Sequence, residues 1–364
     1  MARVRLMDQP KDFERFGIDP KKVEPWEDGR RDSDEGMHNE VWYFDALFDD
    51  QHKFMVGFRP KNPKKLMLKG DSPNLNIMIT TPDGETKDDF LYYTSEESHI
   101  GTEKADLKFG PHTVEGDFKT YDIHVEPVNG VGCDLHYEAL VDPFRQSGTA
   151  AVALGDKDEY YYTDLNVPKS KVTGTLTYDG EEHQVSGLGY HDHQWMNINP
   201  MKAWHHWLWG HLYTDKYTVM IYDFVGTKKY DYTRIPFFGI EDNETGKMIY
   251  MTDGNVELDS RVETNSTGKA FPKVSHYVFQ NNGDSKKVEF TIKWKQEIET
   301  RNMYKNANAA MKAAFIAMNI QPVYMRYYAT GTLKIIDGDQ VEETSGDMIY
   351  EYNYMGKPDP LAKI

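Results

Sequence analysis

Apolar and polar residues alternate in short runs along most of the chain, and turn residues separate the runs. Val41-Trp42-Tyr43-Phe44-Asp45-Ala46-Leu47-Phe48 is followed by the turn Asp49-Asp50-Gln51 and then by Lys53-Phe54-Met55-Val56-Gly57-Phe58. Two such runs across a short polar turn predict a β-hairpin. Residues 76–80 run into Pro82-Asp83-Gly84, residues 120–125 into Pro127 and Asn129-Gly130, and residues 174–178 into Asp179-Gly180. Closely spaced strands with such turns predict antiparallel sheets, closed as barrels or paired as sandwiches. Residues 1–39 are polar and carry Pro10, Pro20 and Pro25, which predicts an irregular lead-in. One helix is predicted over residues 302–319, where Met303, Ala307, Met311, Ala314, Phe315 and Met318 recur at helical steps. Pro322 lies just beyond it.

The strands also repeat. Thr173-Gly174-Thr175-Leu176 recurs as Thr330-Gly331-Thr332-Leu333, then Asp179-Gly180 as Asp337-Gly338, then Ser186-Gly187 as Ser345-Gly346. Each Ser-Gly opens an aromatic strand carrying an acid, and this register aligns Asp192 with Glu351. The hairpin starts match as well: Trp42-Tyr43-Phe44 with Trp207-Leu208-Trp209, Leu47-Phe48 with Leu212-Tyr213, and Asp50 with Asp215. Self-similarity at a fixed spacing is the mark of a duplicated unit. The expectation is an all-β chain of two tandem antiparallel β-barrel domains, residues 1–198 and 199–364, related by internal duplication. Such a pair offers a pocket inside each barrel and a cleft between them.

Composition narrows the function. The 24 Tyr, 17 Phe and 7 Trp suit both strands and apolar ligand pockets. A net charge of -17 disfavours nucleic acid and anionic lipid as partners. The mean hydropathy is -0.72, and no run approaches the ~20 apolar residues of a membrane span. No apolar run follows the initial arginines, and Cys133 is the single cysteine, so a cytoplasmic, reduced protein is expected. GxSxG, GxGxxG and GxxxxGK[ST] are all missing from the sequence, and no cofactor is expected.

Six of the 13 histidines lie between His183 and His211, with four of the seven tryptophans. Side chains alternate across a strand, so His191, His193 and Trp195 share one face while Tyr190, Asp192 and Gln194 share the other. In the next strand His205, Trp207, Trp209 and His211 share a face. His191-x-His193, with His205 or His211 as a third ligand, has an acceptable but unspecific metal spacing. Histidines also fill aromatic cores, and no metal is assigned. Acid–base chemistry is the other reading. An apolar site holds the Asp192 carboxyl protonated, His193 serves as base or holds a water, and Trp195 or Trp207 faces a developing cation. An Asp–His pair satisfying itself at a domain joint fits the same spacing. Tyr222-Asp223 adds a second acid beside a phenol, which on pattern alone is a strand end.

Ser186-Gly187-Leu188-Gly189-Tyr190-His191-Asp192-His193-Gln194-Trp195 closely resembles the G-x-G-Y-x-D-H-x-W signature of the AttH-like and carotenoid 1,2-hydratase (hydroxyneurosporene synthase) superfamily. Trp26-Glu27-Asp28-Gly29, Val41-Trp42-Tyr43-Phe44-Asp45-Ala46, Val167-Pro168 through Val172-Thr173-Gly174, and Tyr350-Glu351-Tyr352 are similar to its other landmarks. The resemblance implies two lipocalin-like (calycin) β-barrels. Its members include hydratases of isoprenoid double bonds, a fungal phytoalexin hydratase and fungal cyclases of the Diels–Alder type. Carried onto this chain, it implies catalysis by Asp192, His193 and Trp195, with Tyr222 and Asp223. Tyr190, His191, Trp207, Trp209, His211, Trp42 and Glu351 would line the substrate site. Met196 stands where relatives commonly have Gly, which would reshape the pocket. The function so implied is a cofactor-independent hydro-lyase for a small hydrophobic isoprenoid, terpenoid or phenolic. A pericyclase or isomerase in the same pocket and a non-catalytic carrier are the alternatives. Oligomeric state stays open.

Overall fold

The computed structural model describes residues 4–146, 148–156 and 159–364, with the backbone alone for residues 163–166. The chain is all-β and forms two curled antiparallel sheets, each a lipocalin-like half-barrel. The first runs from Thr86–Tyr92 through Asn74–Thr80, Lys53–Arg59, Asn39–Phe48, Glu181–Met196 and Tyr160–Tyr178, and on to Ser98–Ile100. The second runs from Lys247–Met251 through Arg234–Asp242, Tyr217–Gly226, Trp204–Tyr213, Gln340–Tyr354 and Val323–Asp337, and on to Val256–Thr264. In both, the last long hairpin returns to pair with the opening strand. Glu181–Met196 lies against Asn39–Phe48, and Gln340–Tyr354 against Trp204–Tyr213. The chain passes from one sheet to the other through the short helix Pro200–Ala203, where the Asn199 side chain caps the Met201 N–H.

The duplication is visible in the pairing register, with two local slips. Tyr178 pairs with Glu181 and Asp337 with Gln340 across the tight turns, which places Ser186, Gly187 and Asp192 on Ser345, Gly346 and Glu351. Thr173 pairs with Ser186 whereas Thr332 pairs with Ser345, so the Thr-Gly-Thr-Leu copies are two residues out of step. Asp192 pairs with Tyr43 and Glu351 with Trp209, so Tyr43 corresponds to Trp209. The match of Trp42 with Trp207 is therefore one residue off. A one-residue slip turns side chains to the opposite face: Trp42 points into the first half-barrel and Trp207 points away from the second.

The three largest apolar clusters among the described residues follow from this layout. Trp42, Phe44, Tyr121 and Tyr137 belong to the interior of the first half-barrel, and Phe290, Tyr327 and Tyr350 to that of the second. The third joins the outer faces of the two sheets and includes Tyr161, Tyr190, Met196, Trp204, Trp209 and Tyr222. Met196 is thus buried against the opposite sheet.

Two expectations need correction. The lead-in contains regular elements: Val4–Leu6 pairs with Ala151–Leu154, and Pro10–Phe16 is a helix. Proline at its first turn and Gly17 at φ 67 beyond its end supply start and stop signals inside a polar stretch. The predicted helix over 302–319 is two helices, Met303–Asn306 and Ala309–Ala317. Asn302 and Asn308 each cap a new start, accepting from the N–H groups of Lys305 and Met311. Among the described residues no helix is long and apolar enough to cross a membrane.

Candidate active site

The strand Glu181–Met196 has opposite environments on its two faces. Inside the first half-barrel, His191 Nε2 lies 3.2 Å from Asp28 Oδ2, and His193 Nδ1 lies 3.2 Å from Asp28 Oδ1. His193 Nε2 is 2.8 Å from Glu40 Oε1. The Tyr121 hydroxyl donates to Asp28 Oδ2 at 2.7 Å, and the Trp42 indole donates to the Asp28 carbonyl at 2.8 Å. Phe44 stacks on His191, Trp42 on His193 and Tyr162 on Trp195. Burial alone would raise the Asp28 carboxyl pKa, but the two histidines outweigh it and hold the group well below the usual carboxylate range. Burial likewise lowers His193, yet Asp28 and Glu40 raise it overall. Asp28, His191, His193 and Glu40 thus form one buried polar network.

Asp192 faces the other way, into the cluster between the sheets. The hydroxyls of Tyr190 and Tyr222 donate to its Oδ2 at 2.8 and 2.9 Å, and Gln194 Nε2 donates to Oδ1 at 2.9 Å. The two hydroxyls are 3.2 Å from each other, and Tyr161 donates to Gln194 Oε1 at 3.2 Å. Burial raises the Asp192 pKa, and the donors and His191 offset it only in part. Asp192 makes no ion pair with any described cation. Around it Tyr43 meets Trp209 edge-on at 5.9 Å, Tyr190 lies 5.3 Å from Trp209, and Tyr222 stacks on Phe224 at 5.4 Å. A carboxyl bonded to two phenols among aromatic faces can hold a proton and deliver it where a positive charge develops.

The second acid of the repeat has a different setting. Glu351 Oε1 accepts from Tyr324 at 2.5 Å and from Arg326 Nη2 at 3.0 Å. Close by, His211 Nε2 lies 3.7 Å from Asp45 Oδ2. Asp45, Lys53, Trp209, His211, Arg326 and Ile349 border a cavity of about 20 Å³, room for roughly one water. A larger cavity, about 260 Å³, opens elsewhere, at the mouth of the first half-barrel beside Phe16, Glu27, Arg31, Tyr160 and Trp195.

The residues singled out in the sequence therefore fall into three places. Asp192, Tyr190, Tyr222, Trp209, His211 and Glu351 come together between the sheets, with half-buried Trp207 at the margin. His191, His193, Trp195 and Trp42 lie on the far side of the same sheet, inside the first half-barrel. Asp223 follows Tyr222 and so points into the second half-barrel, where Arg234 and Tyr277 donate to it. His205 does not share a face with Trp207, because a bulge interrupts the pairing between Trp204 and His206. His211 and the His191–His193 pair are on opposite sides of the first sheet, which separates the ligands considered for a metal. The sequence reading missed Asp28 and Glu40 as partners of the histidines, and Tyr43, Gln194, Arg59 and Arg326 between the sheets. Tyr43 had a usable signal, since it stands in the opening strand that must pair with the motif strand.

Two tandem lipocalin-like half-barrels with a motif strand at their joint define the AttH-like fold. Solved structures carry the same architecture. CghA in complex with Sch210972 matches at a TM-score of 0.60 and 14% identity, over 88% of this chain and 89% of that one. A protein assigned as AttH from Nitrosomonas europaea matches at 0.55 and 14%, over 87% and 93%. Kievitone hydratase from Nectria haematococca matches at 0.53 and 15%, over 88% and 89%. At these identities the likeness concerns the fold. No curated protein matches by sequence. The chain belongs to the family described as Domain of unknown function (DUF7064), whose model matches residues 25–311.

Proposed function

We propose that the chain is a cofactor-independent hydratase or dehydratase of a small hydrophobic substrate, with Asp192 as the acid. The observation that carries this reading is a buried carboxyl held by two tyrosines and raised in pKa between aromatic walls. Asp192 gives its proton to one carbon of a C=C bond. The cation left on the other carbon is faced by Trp209 and Tyr43. Water adds to that carbon, and its released proton returns through Tyr222 or Tyr190 to Asp192. Dehydration is the reverse. The fold shared with kievitone hydratase supports the reaction class by analogy.

In this reading His191, His193, Asp28 and Glu40 are positioning residues. They fix the strand that carries Asp192 from its other face. Trp195 and Asp223 pack the two half-barrel interiors. The small volume between the sheets means that the walls separate to admit substrate. The test is incubation with unsaturated terpenoids and phenolics in heavy-oxygen water, followed by mass spectrometry. The expected product contains one heavy oxygen, and Asp192→Asn lowers its formation by about 10²–10⁴-fold. Label incorporation undiminished in a folded Asp192→Asn variant would contradict the assignment.

A further inference from the structure

Arg59, a cation between the sheets, has no anionic partner among the described residues. Asn76, Gly57, Tyr43 and Asp192 stand in register on four adjacent strands. The Arg59 side chain folds back over Gly57, and a Cβ there would lie 3.0 Å from its guanidinium nitrogens. Its Nη1 donates to the Gly57 carbonyl at 3.3 Å and to the Asn76 side-chain oxygen. Both acceptors are neutral. Among the described residues no carboxylate pairs with Arg59, and the ionisable groups acting on it are Tyr43 and Asp192. Burial lowers its pKa to about 10, which leaves it charged at neutral pH. Arg326, on the facing sheet, shows the ordinary solution, a bond to Glu351.

A half-buried guanidinium held only by neutral acceptors is costly unless an anion completes it. The held geometry supplies what such an anion needs. Gly57 leaves space for the flat fork and Asn76 fixes it, while Tyr43, which meets Trp209 edge-on, stands on the strand between it and the acid. Two strand spacings separate the Asp192 and Gly57 positions, about 10 Å.

We infer that Arg59 is an anion-binding subsite, and that the molecule bound between the sheets is a compact hydrophobic monoanion. Its acidic oxygens sit at Arg59 and its apolar body lies over Tyr43 and Trp209 toward Asp192. The inference rests on the reading of the inter-sheet space as the substrate site, and it adds the substrate's charge. It orients a substrate so that its unsaturated end meets the acid.

The test uses two fluorescent probes of nearly equal shape, anionic 1-anilinonaphthalene-8-sulfonate and its neutral parent N-phenyl-1-naphthylamine. The expected result is tighter binding of the anion by wild type, about tenfold or more, with one site per chain. Arg59→Gln should weaken the anion about tenfold and the neutral probe less than twofold. Arg59→Lys should keep much of the anion preference. Equal binding of the two probes by wild type would overturn the inference, whatever the variants do. So would equal loss of both probes, or no loss of either, in a folded Arg59→Gln variant. Anion selectivity lost with Arg59, in a protein that incorporates no heavy oxygen into any substrate, would uphold the subsite and count against the hydratase reading alone.

Discussion

Asp28 and Asp192 are both buried, and a single strand separates them, yet their environments drive them in opposite directions. Asp28 meets His191 and His193 inside the first half-barrel and is held ionised. Asp192 meets Tyr190, Tyr222 and Gln194 between the sheets and is biased toward its protonated form. Burial raises both carboxyls, and the sign of the net shift depends on whether the partners carry charge. Two imidazoles on neighbouring inward positions outweigh burial. Two phenols and an amide do not. The same alternation of side chains that builds the sheet therefore separates a carboxylate paired with histidines from a carboxyl whose pKa burial raises.

The largest expected effect is on turnover. Asp192→Asn should lower hydration by about 10²–10⁴-fold, the usual worth of a positioned general acid, as read by heavy-oxygen incorporation. Turnover in wild type should fall as pH rises through the raised Asp192 pKa, since the acid must carry its proton.

Next is the cost of breaking the other network. Asp28→Asn should destabilise the fold by about 3–5 kcal/mol, because buried His193 loses one of its two carboxylate partners. Denaturant unfolding at neutral pH checks this. The sign with pH is distinctive. Asp28 is lowered on folding, so its contribution is present above its unfolded value and is lost as pH falls toward and through the folded one. His193 is raised on folding, so its contribution is full below its unfolded value and fades as pH rises through the folded one.

A smaller effect belongs to Tyr222→Phe. Its hydroxyl stabilises the Asp192 carboxylate, so removing it should push the acid's pKa further up. The fall in turnover with pH should then begin at higher pH, with a rate loss of about tenfold, the worth of one hydrogen bond to an ionisable group. The smallest effect is a gain. Asp192 is raised on folding, so it costs stability as pH rises from its unfolded value to its folded one. Asp192→Asn should therefore raise the melting temperature at neutral pH by a few degrees, about 1 kcal/mol, with the gain vanishing in acid. A variant less stable than wild type at neutral pH would mean that Asp192 is an ordinary structural carboxylate.

Much of this layout was legible in the chain. Alternation located the hairpin at Val41, the shared face of His191, His193 and Trp195, and the opposite face of Asp192. The Ser-Gly repeats placed Asp192 and Glu351 at equivalent positions. Alternation says which residues share a face but not which face turns inward, so His193, Trp195 and Trp42 were grouped with an acid they do not touch. The partners of the histidines were hidden for a different reason. Asp28 lies 163 positions before His191 in the chain, and only the closed sheet brings the two together. The placement of Arg59 was hidden because it depends on Gly57, which leaves the space its guanidinium occupies. The break at Asn308 was readable in principle, since asparagine before an alanine-rich run is a cap.

The most direct measurement is a carbon-13 NMR titration of the side-chain carboxyls of Asp28 and Asp192 in one sample, assigned with the two asparagine variants. Asp192 should titrate above the ordinary aspartate value of about 3.9, and Asp28 below it. An Asp192 midpoint at or below that value would contradict the claim that the space between the sheets holds a poised acid.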